Sequence, residues 1–358
     1  MLKKIISGCL IIFVVLLAVV TLSEAMLRFS GRVAVKGLHT APDQVFENIA
    51  GIFEPGQDFI YRANPKLPFH ISINSLGFRG PEINRGKPPG TIRVLCLGDS
   101  LTFGDFVNDD ETFPYRLQEI SRQEKKLVEF VNGGVGGSTI IDQFFFLKKG
   151  MEIDPDIVIL TFFLNDIPEL AKAEPLYKSF EKNRKFKSSF FSGSIYKLFR
   201  DTALFQLALK AKAKYSMRFQ KDREPEGNNG LNTDILNKET ELLEIYAKLL
   251  KEMNDYLKEH SIGLMFILFP SHHQIGQRTG VSDLQDYRID WVERLAQEMG
   301  VPTLNLLKLF KKSNLGKNEL YLLPHDGHPS KIAYDLTAYA VYENLQQNFL
   351  HMFKNNPD

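Results

Sequence analysis

The most conspicuous hydrophobic pattern lies at the start of the chain. Lys3 and Lys4 are followed by 18 uncharged residues, Ile5 to Leu22, that are rich in Ile, Leu and Val. As a helix this stretch is about 27 Å long, close to the hydrocarbon thickness of a bilayer. The alternative, a buried core helix of a soluble domain, rarely starts so near the N-terminus. The pattern therefore predicts a membrane-targeting helix.

The residues on either side of this helix predict its orientation in the membrane and whether it is cleaved. The lysine pair is expected on the cytoplasmic side of a bacterial inner membrane, which sends the rest of the chain into the extracytoplasmic or periplasmic space. Ser23-Glu24-Ala25 offers small residues where a signal peptidase would cut, so secretion after cleavage is the alternative. The apolar run is longer than a typical signal-peptide core. We therefore expect residues 1–25 to be an uncleaved single-pass anchor.

The hydrophobic pattern then weakens and later becomes regular. Residues 26–90 lack long periodic runs and contain seven prolines, which predicts a stalk and an irregular lead-in. From residue 91 to 350, short apolar segments alternate with amphipathic ones. Predicted strands are 92–97, 128–132, 156–163, 263–269 and 301–305, and predicted helices are 113–126, 139–149, 236–260, 284–299 and 331–349.

This alternation predicts an α/β fold. The segment 156–163 is apolar on both faces, as central strands of parallel sheets are. Strands that alternate with helices form a mainly parallel sheet, here of five strands, covered by helices in a three-layer α/β/α arrangement. Ligands of such folds bind at the carboxyl ends of the strands.

Composition and charge add a helical insertion to this picture. The 358 residues include 44 basic and 43 acidic ones, a net charge of +1 that argues against nucleic-acid binding through overall charge. Within a predicted insertion over 168–232, however, residues 172–223 carry fourteen basic and four acidic residues, which leaves −9 for the rest of the chain. Phenylalanines and tyrosines are interleaved. The insertion is either a cap that faces anionic headgroups or an acidic polymer, or a solvated element whose aromatic side chains pack on the main domain.

Residues able to carry chemistry follow the first three predicted strands. Ser100 lies in Gly98-Asp99-Ser100-Leu101, where a tight turn can expose a nucleophile. Asn132 opens a loop with four glycines in five positions, ending at Gly137, that can present backbone N–H groups to a ligand. Asn165 follows the third strand, and its amide can donate to a developing oxyanion.

A histidine loop precedes the last predicted helix. His328 can accept the serine proton, and Asp326 can orient the imidazole ring and stabilise the imidazolium. The loop histidines, together with His272 and His273, would also suit a metal site. The serine, the glycine loop and the asparagine would then have no role. We therefore expect no metal and no cofactor.

With these motifs the sequence resembles the SGNH/GDSL hydrolases, lysophospholipase- and acetylesterase-like serine hydrolases of flavodoxin-like fold, from roughly Arg93 to Leu345. The segment 73–80 resembles the lead-in of envelope-associated bacterial members. The resemblance implies Ser100 as nucleophile and His328 as base. It implies an oxyanion hole made by the backbone N–H groups of Ser100 and Gly137 and by the Asn165 amide. Relatives usually have an aspartate three residues before the histidine; here His325 holds that position, so Asp326 is the expected acid.

The resemblance also implies a function. We expect a membrane-anchored serine esterase that removes O-acyl groups, such as acetyl, from an envelope polysaccharide or lipid; its substrate would be an acetylated glycan or a lysolipid. Two alternatives stay open. The same serine could transfer the acyl group to an exopolysaccharide hydroxyl, or the chain could be a non-catalytic scaffold with this fold. No nucleic-acid partner is expected, and the oligomeric state is open.

Overall fold

Most of the chain is organised around one parallel sheet. The structure, a computed structural model, describes residues 2–30, 37–62, 64–171, 174–188, 190–208, 211, 233–275, 281–349 and 352. The strands in these residues are β1 (Asp58–Tyr61), β2 (Phe69–Ser72), β3 (Ile92–Leu97), β4 (Val128–Asn132), β5 (Ile157–Phe162), β6 (Gly263–Leu268) and β7 (Thr303–Asn305).

Helices connect these strands and cover the sheet. They are α1 (Leu2–Ser30), α2 (Asp43–Phe46), α3 (Ser100–Phe103), α4 (Phe113–Gln123), α5 (Ile140–Gly150), α6 (Asp166–Glu169), α7 (Leu176–Ser188), α8 (Phe190–Phe199), α9 (203–208), α10 (Thr233–Glu259), α11 (Val281–Glu298), α12 (Leu306–Lys312), α13 (Lys317–Leu320) and α14 (Lys331–Asn348). Short 3-10 helices span Asp109–Glu111, Met151–Ile153 and His272–Ile275.

The sheet has the strand order β4-β3-β5-β6-β7, and all its neighbours are parallel. β3 lies between β4 and β5: Cys96 is opposite Asn132 of β4, and Leu97 is opposite Leu160 of β5. The carboxyl ends of these three strands therefore meet at one edge. This architecture confirms the predicted α/β fold with a five-stranded parallel sheet. β7 begins at Thr303 rather than at 301, because Pro302 has no amide hydrogen for the ladder.

Two hydrophobic cores fill the space between the sheet and its helices. Leu147 of α5, Leu250 of α10 and Val292 of α11 belong to the core on one face. Leu117 of α4 and Val341 of α14 belong to the core on the other face. Since side chains alternate along a strand, β3 supplies both cores, and all six of its residues are buried.

The lead-in differs from the predicted irregular stalk over most of residues 38–81. β1 and β2 form an antiparallel pair, with Phe59 opposite Ile71. Phe53 and Phe69 are buried in the same core as Leu147. The prolines exclude long helices here, yet short extended segments still bury alternate side chains. The part of the predicted stalk at 31–36 lies outside the described residues.

The insertion also packs on the domain. Phe145 of α5 stacks on Tyr177 of α7 with ring centroids 4.6 Å apart, and Phe146 stacks on Phe180 at 6.5 Å. These contacts agree with aromatic side chains that pack on the main domain. Half of the basic residues and two of the aromatic ones lie outside the described residues (Lys172, Lys210, Lys212, Lys214, Arg218, Lys221 and Arg223; Tyr215 and Phe219).

α1 stands apart from both cores. Its segment Ile6–Ser30 is long and apolar enough to cross a membrane, with a mean hydropathy of 2.8 in its most apolar window, and none of that window is buried. An N-terminal helix of this kind serves as an anchor or as a signal sequence.

The packing of the lead-in leads to a stability prediction. Phe69→Ala should lower the free energy of unfolding by about 3–5 kcal/mol, because Phe69 is 1% exposed and its loss leaves a cavity. Ile60→Ala is the matched control: it is in the same hairpin and 52% exposed, so the change should stay within about 0.5 kcal/mol. Urea unfolding of the detergent-solubilised protein measures both. Equal stability of the two variants would contradict a packed lead-in.

Candidate active site

Ser100 lies in a tight turn at the carboxyl end of β3. Gly98 has φ +155°, and a Cβ there would lie 2.2 Å from Thr102 Oγ1, so this turn requires glycine. Asp99 then caps α3 by accepting a hydrogen bond from the Leu101 N–H at 2.9 Å. The turn leaves Ser100 as the first residue of α3, at the edge of the sheet.

His328 and Asp326 complete a chain of hydrogen bonds to this serine. His328 Nε2 lies 2.8 Å from Ser100 Oγ, and His328 Nδ1 lies 2.5 Å from Asp326 Oδ1. Asp326 Oδ1 also accepts from the backbone N–H of His328 at 2.9 Å. With a proton on Nδ1, Nε2 can accept the serine proton. His325, at the position where relatives have the acid, is exposed.

The charges around this chain suit a general base. Burial opposes protonation of His328, but the hydrogen bond to Asp326 and the charges of Asp105, Asp326 and Asp99 outweigh it, so the pKa of the imidazole is raised. Burial likewise disfavours the charged form of Asp326. The hydrogen bonds that it accepts from the ring and backbone of His328 outweigh this, and the pKa of Asp326 is lowered. Asp326 therefore stays ionised beside a readily protonated imidazole.

The glycine loop after β4 packs directly on α3. A Cβ at Gly134 would lie 2.2 Å from the backbone nitrogen of Phe103, so no larger residue fits there. Asn132 holds the loop in place. Its Oδ1 accepts from the Gly134 N–H at 3.1 Å, and its Nδ2 donates to the Phe103 carbonyl at 3.1 Å. The predicted loop of β4 is thus fixed against the turn that carries Ser100.

The end of this loop and Asn165 lie on the two neighbouring strands' side of the site. A Cβ at Gly136 would lie 3.9 Å from Ser100 Cβ, and Gly137 follows with φ +74°. Asn165 comes directly after β5 and precedes α6. Together with His328 it lines a cavity of about 420 Å³, a size typical of small-molecule sites. The structure thus joins Ser100, His328 and Asp326 through hydrogen bonds and places Asn165 in the wall of the cavity next to His328. The oxyanion role of Gly137 stays a prediction.

Sequence reasoning missed Arg79. This side chain is almost fully buried, at 3% exposure, and donates five hydrogen bonds. Its partners are Asp109 Oδ1 (2.6 Å) and four backbone carbonyls: Phe103 (2.8 Å), Gly104 (2.7 Å), Val107 (2.8 Å) and His70 (2.8 Å). Three of those carbonyls belong to the end of α3 and the loop after it. The presence of an arginine in segment 73–80 was the one hint in the sequence. The sequence pattern does not show that its guanidinium is buried or which groups it binds.

Asp105 and Phe106 were also missed, although they closely follow Ser100 in the sequence. The Phe106 ring meets the His328 ring edge-on, with centroids 5.2 Å apart. Burial raises the pKa of Asp105, and the charges of His328 and Arg79 partly offset this. A second carboxylate thus acts on His328 in addition to Asp326. Asp105 and Gly136 both line a second cavity, of about 470 Å³.

His272 and His273 line the 420 Å³ cavity, and their rings are 3.9 Å apart. Burial, together with the charge of His273, lowers the pKa of His272. Among the described residues, no group of three or more His, Cys, Asp or Glu side chains is arranged to hold a metal ion. The pair therefore belongs to the wall of the cavity that His328 and Asn165 share.

Comparison with known proteins identifies the family of the chain. The profile of the GDSL-like lipase/acylhydrolase family matches residues 96–336. The chain belongs to this family, which confirms the resemblance seen in its motifs. It is an ester-hydrolysing serine hydrolase. No match was found among curated protein sequences.

Several solved structures are similar to the chain at low identity. A G-D-S-L family protein from Desulfitobacterium hafniense DCB-2 is 17% identical, covers 71% of this chain and 100% of its own, and has a TM-score of 0.43. An acetylxylan esterase from Geobacillus stearothermophilus is 14% identical over 71% of this chain and 94% of its own, with a TM-score of 0.43. An α/β hydrolase enzyme from the metagenome of Lake Arreo is 14% identical over 75% of this chain and 97% of its own, with a TM-score of 0.42.

Asp105 leads to a prediction about the pH profile. A general base must be neutral to act, so activity should rise as pH passes through the pKa of His328. Since the negative charge of Asp105 raises that pKa, Asp105→Asn should move the acidic limb of kcat/KM to lower pH. The measurement is hydrolysis of p-nitrophenyl acetate between pH 4 and 9. Asp110→Asn, at an exposed position, should leave the limb unchanged. If the acidic limb of Asp105→Asn stays at the wild-type pH, the negative charge of Asp105 does not raise the pKa of His328.

Proposed function

We propose that this protein is a membrane-anchored serine esterase that removes O-acyl groups, such as acetyl, from an envelope polysaccharide or lipid. Ser100 is the nucleophile, His328 the base and Asp326 the acid. The observation that carries the proposal is the hydrogen-bond chain from Ser100 Oγ to His328 (2.8 Å) and from His328 to Asp326 (2.5 Å). A serine in line with an imidazole and a carboxylate is the arrangement for acyl transfer through a covalent intermediate.

The proposed reaction has two halves. His328 Nε2 takes the proton of Ser100 as Oγ attacks the acyl carbonyl carbon, while Asp326 stabilises the imidazolium. The backbone N–H groups of Ser100 and Gly137 and the amide of Asn165 donate to the oxyanion. His328 then gives its proton to the leaving alkoxide, and an acyl-serine remains. Water attacks this ester with the same base, and free acid leaves.

The cavity beside Ser100 supports a short acyl group on a polar alcohol. Leu101, Phe163 and Leu164 supply apolar wall, whereas Ser271 and Arg288 supply polar groups. The Arg288 guanidinium is held by Glu239, with Nε 2.6 Å from the carboxylate. A cavity of about 420 Å³ is within the size range of small-molecule sites and accommodates an acetyl group together with one sugar unit.

The contacts of Glu24 support an anchor that is retained. Its carboxylate accepts from the backbone N–H groups of Ala203 at 2.8 Å and Leu204 at 3.0 Å, at the start of α9. Cleavage after Ala25 would remove this carboxylate and leave the start of the helix without its cap. With Lys3 and Lys4 inside, the catalytic domain lies on the extracytoplasmic side of a bacterial inner membrane.

Ser100→Ala is the direct test of the proposed chemistry. It should lower kcat for acetyl esters by roughly 10⁴–10⁶-fold, because the covalent route is lost. Asn165→Ala should lower kcat by about 10²–10³-fold, because one oxyanion donor is lost. Acetate release from acetylated sugars and from p-nitrophenyl acetate measures both. Ser75→Ala, at an exposed serine, is the control and should retain wild-type rates.

Two results would contradict the scheme. Full activity in Ser100→Ala would mean that another group is the nucleophile. Failure of a fluorophosphonate probe to label Ser100 in the wild-type protein, together with no turnover of short or long acyl esters, would favour a non-catalytic scaffold.

One observation favours acyl transfer as a second candidate function. The 470 Å³ cavity is lined by Gly136, where a Cβ would lie 3.9 Å from Ser100 Cβ, and its wall includes Asn183, Lys187 and Tyr196 of the insertion. A hydroxyl acceptor bound there would compete with water for the acyl-serine.

Acceptor dependence separates the two functions. Transfer predicts that a polysaccharide acceptor accelerates donor turnover and gains acyl groups, as measured by mass spectrometry. Lys187→Ala should then reduce transfer more than hydrolysis, whereas Lys178→Ala, at an exposed position outside the cavity, should change neither. Donor turnover that is independent of acceptor would leave hydrolysis as the function.

A further inference from the structure

The end of α1 is bound to the basic insertion. Glu24 is the first charged residue after the apolar run that ends at Leu22, and it caps α9 through Ala203 and Leu204. One turn later, Arg28 Nη2 donates to the carbonyl of Asp201 at 3.1 Å, and Arg28 Nε lies 2.6 Å from Glu24. Glu24 is about 3 Å beyond Leu22 along the helix axis. The start of α9 therefore lies at the level where α1 leaves the hydrocarbon.

The insertion exposes apolar side chains within a few residues of its contacts with α1 at Asp201, Ala203 and Leu204. On α8, Ile195 is 43%, Leu198 is 71% and Phe199 is 47% exposed, and Leu207 of α9 is 43% exposed. The three α8 residues have helical i, i+3, i+4 spacing, so they share one face. We call these four residues the interfacial surface. Apolar groups gathered in this way mark an interaction site rather than an ordinary solvent-facing helix.

The charge of the insertion indicates the partner. Residues 172–223 have a net charge of +10. Lys178, Lys182 and Lys185 are exposed on α7 at i, i+4, i+7 spacing, which also gives them one face. A helix pair with exposed apolar side chains and neighbouring lysines suits the boundary of an anionic bilayer, where acyl chains and phosphate groups meet.

We propose that the interfacial surface lies in the headgroup region of the leaflet from which α1 emerges, with its apolar side chains in the acyl boundary and the α7 lysines near lipid phosphates. The proposal rests on the anchor of the proposed function and not on its esterase chemistry. It gives the catalytic domain a fixed orientation on the membrane instead of a free tether. Tyr196 and Lys187, which line the second cavity, then lie close to the bilayer.

Fluorescence quenching in vesicles tests the proposal. The full-length protein is reconstituted into vesicles of phosphatidylcholine and phosphatidylglycerol, with Trp291→Phe removing the single tryptophan of the chain. Leu198→Trp then reports on the interfacial surface. Tyr339→Trp is the control: it is similarly exposed, at 54%, but lies on α14, which packs on the opposite face of the sheet. Phospholipids with brominated acyl chains should quench the Leu198→Trp variant at least about threefold more strongly than the Tyr339→Trp variant.

Every other outcome overturns the proposal. Equal, weak quenching of both variants would mean that the surface faces water. Blue-shifted but unquenched emission from the Leu198→Trp variant would mean that protein covers the surface, either a second copy or another part of this chain. Ile195→Trp repeats the measurement if Leu198→Trp fails to fold. Fluorophosphonate labelling is recorded for each variant. If the probe does not label the wild-type protein, the catalytic proposal is refuted. The quenching result still decides whether the surface contacts the membrane.

Discussion

The parallel pairing of β3 with β4 and β5 is the constraint on which the site depends. Adjacent strands of a sheet lie about 4.8 Å apart, so the three turns that leave their carboxyl ends must crowd together. Cys96 opposite Asn132 and Leu97 opposite Leu160 fix the register of these turns. Ser100, the glycine loop and Asn165 meet for this reason, although they are far apart in sequence.

A second constraint is the buried guanidinium of Arg79. The end of α3 and the loop after it turn their carbonyls inward, and buried carbonyls without partners are costly. Arg79 satisfies those of Phe103, Gly104 and Val107 at 2.7–2.8 Å. The same loop carries Asp105 and Phe106 against His328. The lead-in therefore positions the loop that touches the base, and it belongs to the catalytic unit rather than to a spacer.

The near-neutral charge of the chain conceals how its charge is distributed. The insertion has a net charge of +10, and its Tyr177 and Phe180 pack on α5. The aromatic side chains of α7 face the domain, in agreement with one of the two interpretations drawn from the sequence. Other apolar side chains of the insertion are exposed, and for these we propose a contact with the membrane. One segment can be both a packed layer and an interaction surface.

Local patterning in the sequence was enough to predict the main elements of the fold. Apolar runs such as β3 and β5 identify the sheet, and the residues that follow their ends identify Ser100, Asn165 and the glycine loop, because parallel strands put chemistry at one edge. Contacts between distant parts of the chain could not be predicted in this way and became visible in the folded protein. The 2.8 Å contact of Ser100 with His328, the hydrogen bonds of Arg79 and the effect of Asp105 on His328 depend on side chains separated along the chain and on carbonyls that need partners. The packing of the lead-in could not be predicted from the sequence pattern. Its strands, β1 and β2, have four residues each, which is too few for periodicity to show which side chains are buried.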